Sequence, residues 1–195
     1  MNLHRLPFAL LLAGSVATSS FADTPPEPSE AGPKIVAAAF AQLSAALGDA
    51  LSKGGPTNAL NVCSEKAPTI ATAVGREHGV TLRRATARPR NPKNAADTRE
   101  QQVLAAFAET MARKETPKPQ TQREPDGSAT FFAPIVLANP LCLQCHGKPG
   151  QEVAASTLAA IRANYPEDKA TGYALGELRG LWRVTFPSPA AHPKP

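Results

Sequence analysis

Cys142-Leu143-Gln144-Cys145-His146 sets two thiols three positions apart, with an imidazole directly after the second. Thiols at that spacing can each add to a vinyl group on one edge of the same porphyrin. The adjacent His146 is then delivered beneath the iron as its proximal ligand, the pattern of a covalent c-type haem attachment site. The chain has only three cysteines and four histidines, so all three residues falling together is informative. A zinc site would need four ligands, usually from a second paired motif, and Cys63, His78 and His192 are isolated. A dithiol redox pair would open a helix at the end of a strand. Here Asn139-Pro140 precedes the pair and Gly147, Pro149 and Gly150 follow it, which describes a loop. The expectation is one covalent haem c.

With two thiols consumed, Cys63 is the odd one, and an odd cysteine in an exported chain needs an explanation. It shares an apolar helical face with Leu60, Ala67, Ile70 and Val74, where a thiol can either pack or reach the iron. Haem propionates carried into a pocket need positive partners. Arg83, Arg84, Arg88, Arg90 and Arg179 are available, and Arg88, Arg90 and Arg179 are taken as the candidates. Asn91 and Asn94 suit the holding of their own loop. Tyr165, Tyr173 and Trp182 suit packing around the haem or core. Glu167 and Asp168 make no acid/base pair, and neither a nucleophilic triad nor a phosphate loop occurs.

The N-terminus reads as an export signal. Arg5 begins it, Leu6 to Val16 is apolar apart from Pro7, Gly14 and Ser15, and Ser20-Phe21-Ala22 suits cleavage after Ala22. The run is too short for a lasting bilayer anchor, so the expected mature protein is periplasmic with no membrane span. Haem attachment of this kind takes place outside the bacterial inner membrane, so the two signals agree. The net charge is +5; without Arg5, twenty basic and sixteen acidic residues remain, a charge of +4. The cations are dispersed and poorly interleaved with aromatics, which excludes nucleic acid. A modest positive field suits an acidic redox partner.

The elements that must position these residues follow from periodicity. Residues 23–33 read as a disordered leader, and 34–187 as one domain. Val36, Phe40, Leu43, Leu47 and Leu51 define a core-packing helix from about Lys34 to Ser52, stopped by Gly54-Gly55. A second helical stretch runs from Pro56 to Gly79 with a break near Pro68. His78-Gly79 is its C-terminus. Val80 to Arg84 is a strand, and Arg88 to Asn94 an irregular basic loop. Asp97 and Glu100 form a capping box for a helix to Lys114, with an apolar stripe of Leu104, Phe107, Ala108 and Met111. Lys114 to Gly127 reads as a mobile loop, Ser128 to Leu137 as a strand, Glu152 to Asn164 as a helix and Leu181 to Phe186 as the last strand. The tail, 188–195, reads as disordered. Helices followed by strands mixed with helices give an α+β domain with an antiparallel sheet. A small monohaem cytochrome c would be shorter, nearly all helical, and would carry its motif near the N-terminus.

Several segments in order carry a resemblance: Cys63 with Ala67-Pro68; Arg88, Arg90, Asn91-Pro92 and Asn94; Cys142 to Gly147; Tyr165 to Tyr173; Gly176; and Arg179-Gly180. Together, from about Ile35 to Pro187, they resemble the bacterial family of periplasmic c-type haem domains with a PAS-like fold. That family occurs alone and as the sensor part of membrane histidine kinases. The resemblance implies a PAS-like antiparallel sheet with flanking helices and a haem held covalently in its pocket. It implies His146 and Cys63 as axial ligands, His146 matching the motif histidine. The chain departs in having no attached kinase or receptor portion.

The expected function is redox or diatomic-gas sensing through a His/Cys-ligated haem, with an unknown redox or signalling protein as partner. A thiolate ligand favours ferric iron and implies a low reduction potential. The alternative is a soluble periplasmic electron-transfer cytochrome. A peroxidase would need a distal acid/base histidine or arginine, and none is identifiable.

Overall fold

The computed structural model describes residues 27–188. The expected signal sequence, residues 23–26 of the leader and residues 189–195 of the tail lie outside the described residues.

Four strands form one antiparallel sheet: β1 (Thr81–Ala85), β2 (Gln120–Arg123), β3 (Ala129–Val136) and β4 (Leu178–Phe186), in the order β1-β4-β3-β2. Alternation along the strands gives the sheet two apolar faces. Phe131, Trp182 and Val184 face helices α1 (Pro28–Asn61) and α2 (Ala67–Glu77), where they meet Ile35, Ala39 and Val74. Phe132 and Leu181 face the other way, onto Val103, Leu104 and Phe107 of α3 (Thr98–Ala112). The result is a three-layer α+β domain, as expected. Two short helices, α4 (Leu143–His146) and α5 (Ala155–Asn164), follow β3.

Helix α1 begins at Pro28, so residues 28–33 are helical and not part of a disordered leader. Packing overrides their loop-like composition. A Cβ on Gly32 would stand 2.4 Å from the Phe131 ring, so the first turns lie directly on the sheet. Glu27 also pairs with Arg123. The helix breaks at Gly54-Gly55, where Gly55 has φ +64° and ψ −165°, a conformation open essentially only to glycine. The break expected near Pro68 lies just upstream of it. Pro68 sits in the first turn of α2, and the irregularity before it is a π-helical turn, Val62–Lys66. Proline has no N–H to return to the preceding turn, and the wider turn absorbs the loss. α2 closes with Gly79 at φ +64°, Val80 N–H on the Gly75 carbonyl and Gly79 N–H on that of Arg76, a Schellman arrangement.

The stretch 114–127, expected as a mobile loop, contains edge strand β2, which pairs with β3 through Gln120↔Phe132 to Arg123↔Ala129. Its residues, Gln-Thr-Gln-Arg, show no apolar alternation; backbone pairing holds it, with Gln122 accepting from Arg99 and Arg123 paired with Glu27. Beyond Phe132, β3 is itself an edge on that side and accommodates Pro134. Smaller corrections follow the same logic. On α3 Val103 is buried and Ala108 exposed. The basic loop contains one 3-10 turn, Pro92–Asn94. Helix α5 starts at Ala155 and β4 at Leu178. Ser188, assigned to the tail, donates to the Asp126 carbonyl.

The capping box is present in full. Asp97 Oδ1 accepts from Glu100 N–H at 2.8 Å and Glu100 Oε2 accepts from Asp97 N–H at 2.9 Å. The Glu100 N–H, opposed by partial burial and aided by Arg183 and Arg83, holds the Asp97 carboxyl below its ordinary value of 3.8. A depressed carboxylate stabilises the native state fully above the unfolded value and ceases to as pH falls through the native one. Asp97→Ala should lower the unfolding free energy by about 1 kcal/mol in urea titrations near neutral pH. The difference from wild type should shrink in acid below 3.8.

Candidate functional site

Asn139 and Pro140, read from sequence as loop residues, start a helix. The Asn139 side chain accepts the Leu141 N–H at 2.9 Å, and Pro140 opens a 3-10 turn, Pro140–Cys142, that runs into α4. Asparagine as N-cap and proline in the first turn are as natural to a helix start as to a loop. Cys142, Cys145 and His146 therefore lie on one helical turn. All three line a cleft that encloses about 1180 Å³ counting its open mouth, ample for a large ligand.

The opposite wall is α1. Phe40, Leu43, Leu47 and Leu51, expected as a core-packing face, line this cleft, followed by Ala59 and Leu60. Phe40 stands 58% exposed at its rim and Leu141 53%. The floor comes from the sheet: Arg84 and Ala85 of β1 with Thr86 after it, Ile135 of β3 with Leu137 after it, and Arg179, Gly180 and Trp182 of β4. Tyr165, Asn91 and Asn94 complete it, Asn91 also accepting the Lys93 N–H.

His146 is fixed by its surroundings. Its Nδ1 lies 2.7 Å from the Ala170 carbonyl. A carbonyl can only accept, so Nδ1 carries the proton and Nε2 keeps its lone pair. Burial pushes its pKa well below the ordinary 6.5, and Arg179 and Arg90 push the same way against the Ala170 bond. The ring is neutral at pH 7, the form that ligates metal.

The segment 168–173 clamps this turn. Tyr173 N–H donates to the His146 carbonyl at 2.8 Å and Gly172 N–H to that of Gly147 at 2.7 Å. The Tyr173 ring meets the His146 ring edge-on, centroids 6.3 Å apart. Arg90 ties the same parts together. Its Nε pairs with Asp168 at 2.8 Å and its Nη2 donates to the Cys145 carbonyl at 2.6 Å. Asp168, dismissed as an acid/base group, thus matters as the partner of a buried cation. The proximity of an arginine loop and a segment eighty residues later had no local signature in the sequence.

Two guanidinium nitrogens remain unsatisfied. Arg90 Nη1 and Arg179 Nε are buried and have no hydrogen-bond partner among the described residues. Arg179 Nη1 is held by Thr86 Oγ1 at 2.8 Å and the Arg88 carbonyl at 3.1 Å, and burial lowers its pKa. Both arginines line the cleft with Arg84, whose guanidinium lies 5.7 Å over Trp182. Buried cations beside an apolar cleft call for an anion. A flat, largely apolar group bearing carboxylates fits this donor set. Haem is such a group, and the thiols, the imidazole lone pair and the orphaned guanidinium nitrogens suit it together.

The other sequence candidates divide. Arg83 pairs with Glu100 at 3.3 Å, away from the cleft. Arg88 is not among the cleft-lining residues; its donors go to the Lys169 and Thr171 carbonyls. Cys63 belongs to the π turn, three residues after cleft-lining Leu60; its side chain lies outside the described part of the structure. His78 caps α2. His192 lies outside the described residues.

The model of the Tll0287-like family matches residues 14–187. Among solved structures the chain is similar to the cyanobacterial heme-protein Tll0287, with 26% identity and a TM-score of 0.59. The match covers 83% of this chain and 97% of that one. No curated protein matches.

The Arg90–Asp168 pair is nearly dry, its side chains 5% and 7% exposed. Removing one partner strands the other charge, so Asp168→Ala should cost about 3–5 kcal/mol in chemical denaturation.

Proposed function

The chain belongs to the Tll0287-like family, and on that premise we propose that it is an exported monohaem protein whose haem is attached through Cys142 and Cys145. Haem when bound supplies one-electron chemistry and a centre for diatomic gases. His146 would hold the iron through Nε2, its proton held at Nδ1 by Ala170. Arg90 and Arg179 would answer the propionates, and the leucines of α1 would exclude water. The observation that carries this reading is the convergence, on one cleft, of both thiols, a histidine of fixed tautomer and two unsatisfied buried guanidinium nitrogens.

Cys63 is the distal ligand in this reading, and the sheet with its helices is a PAS-like fold. Support for Cys63 comes from its backbone: π turns inside α-helices are frequent at functional sites, and this one follows Leu60 on the cleft wall. The role we infer is redox or diatomic-gas sensing in the periplasm, with Cys63 as the second residue that would hold the iron. Electron transfer is the second reading, favoured by the exposed Phe40 and Leu141 at the rim, where a redox protein could dock.

Periplasmic expression with the haem maturation machinery should give a coloured protein heavier than the bare mature chain by one haem, and Cys142→Ser/Cys145→Ser should give colourless material. Colourless wild-type protein of bare mass would defeat the proposal. Cys63→Ala should alter the ferric absorption spectrum, and an unaltered spectrum removes Cys63 as ligand. Carbon monoxide should shift the Soret band of the reduced wild type if it senses by ligand release. A carrier keeps both ligands and shows no shift.

A further inference from the structure

Arg88 lies off the cleft, yet its contacts bear on the ring that lines it. Nε donates to the Lys169 carbonyl at 3.0 Å and Nη2 to the Thr171 carbonyl. The carbonyl between them, that of Ala170, accepts the His146 Nδ1–H at 2.7 Å. The fork thus holds the carbonyls on either side of the one that meets the His146 ring. The guanidinium also lies 3.9 Å over the Tyr173 ring, whose edge meets His146. Only a planar, rigid set of donors can hold two carbonyls and stack at once; a lysine ammonium cannot.

We propose that Arg88 is a positioning residue for His146. Its grip on the Lys169 and Thr171 carbonyls aims the Ala170 carbonyl at Nδ1, which fixes the ring nitrogen that holds the proton and strengthens the other as a donor. Partners of this kind around a metal-bound histidine orient the ring and raise its basicity. The redox consequence rests on the reading of His146 as iron ligand; the tautomer does not. Arg88 is thereby moved from the propionate candidates to the support of the proximal side.

The test uses the full haem-loaded chain with nitrogen-15 histidine, as wild type, Arg88→Met and Arg88→Lys. Solvent exchange of the His146 Nδ1 proton is read by NMR and the midpoint potential by redox titration, with circular dichroism as a check on folding. Arg88→Met should speed exchange roughly tenfold, the factor that about 1.4 kcal/mol of lost hydrogen bonding gives. A weaker imidazole donor also stabilises ferric iron less, an effect that raises the potential. Arg88→Met also removes a positive charge, which by itself lowers the potential, so the sign is read in Arg88→Lys, which keeps the charge. Arg88→Lys should speed exchange by less and raise the potential, and it decides the matter if Arg88→Met does not fold. Unchanged exchange in a folded variant, or a lowered potential in folded Arg88→Lys, overturns the proposal. If the wild type carries no haem, the haem reading fails separately. The tautomer in the haem-free chain then decides: Nδ1–H in wild type giving way to Nε2–H in the variants upholds Arg88's role, and no change sinks it.

Discussion

An imidazole offers a lone pair to a metal only when its proton is kept on the other nitrogen, and here the Ala170 carbonyl keeps it. Much of the site is arranged around that bond. Burial and two arginines hold the ring neutral. The segment 168–173 returns two N–H groups to the carbonyls of His146 and Gly147. Arg90 fastens this segment, through Asp168, to the backbone of Cys145. Helix α4 is only four residues long, far too short to be stable alone. Its geometry is imposed by chain from elsewhere in the sequence.

The same cations act twice. Arg90 spends two of its donor nitrogens on protein and leaves the third without a partner; Arg179 likewise leaves Nε. An unsatisfied buried donor is costly, and two of them beside one apolar cleft favour an anion there. Their positive charge also disfavours protonation of His146. Anion affinity and metal-ligand readiness thus share a cause.

What was legible in the sequence was local. Asp97 and Glu100 advertise a capping box because both partners lie within one turn. Cys142, Cys145 and His146 are visible because their spacing is itself the chemistry. Asn139-Pro140 was ambiguous, since the same residues suit a turn and a helix start. Strand β2 was invisible because an edge strand of Gln, Thr and Arg carries no apolar period. The face from Phe40 to Leu51 was correctly apolar, but periodicity cannot say whether the covering surface is protein or a cleft. Arg88 and Arg90 looked alike two positions apart. Their tasks diverge because one meets the Lys169 and Thr171 carbonyls and the other meets Asp168, and that depends on how distant segments approach.

The sheet topology bears on the order of assembly. β1 is paired with β4, Thr81 opposite Thr185, so the chain between them, α4 included, forms a closed loop in the native state. Long loops close late because their entropy must be given up before the pairing compensates for it. Until the C-terminal strand arrives, the Cys142–His146 turn lacks the floor that Arg179, Gly180 and Trp182 provide. A modifying enzyme acting on those thiols would have its opening during that interval, while the chain is still unclosed.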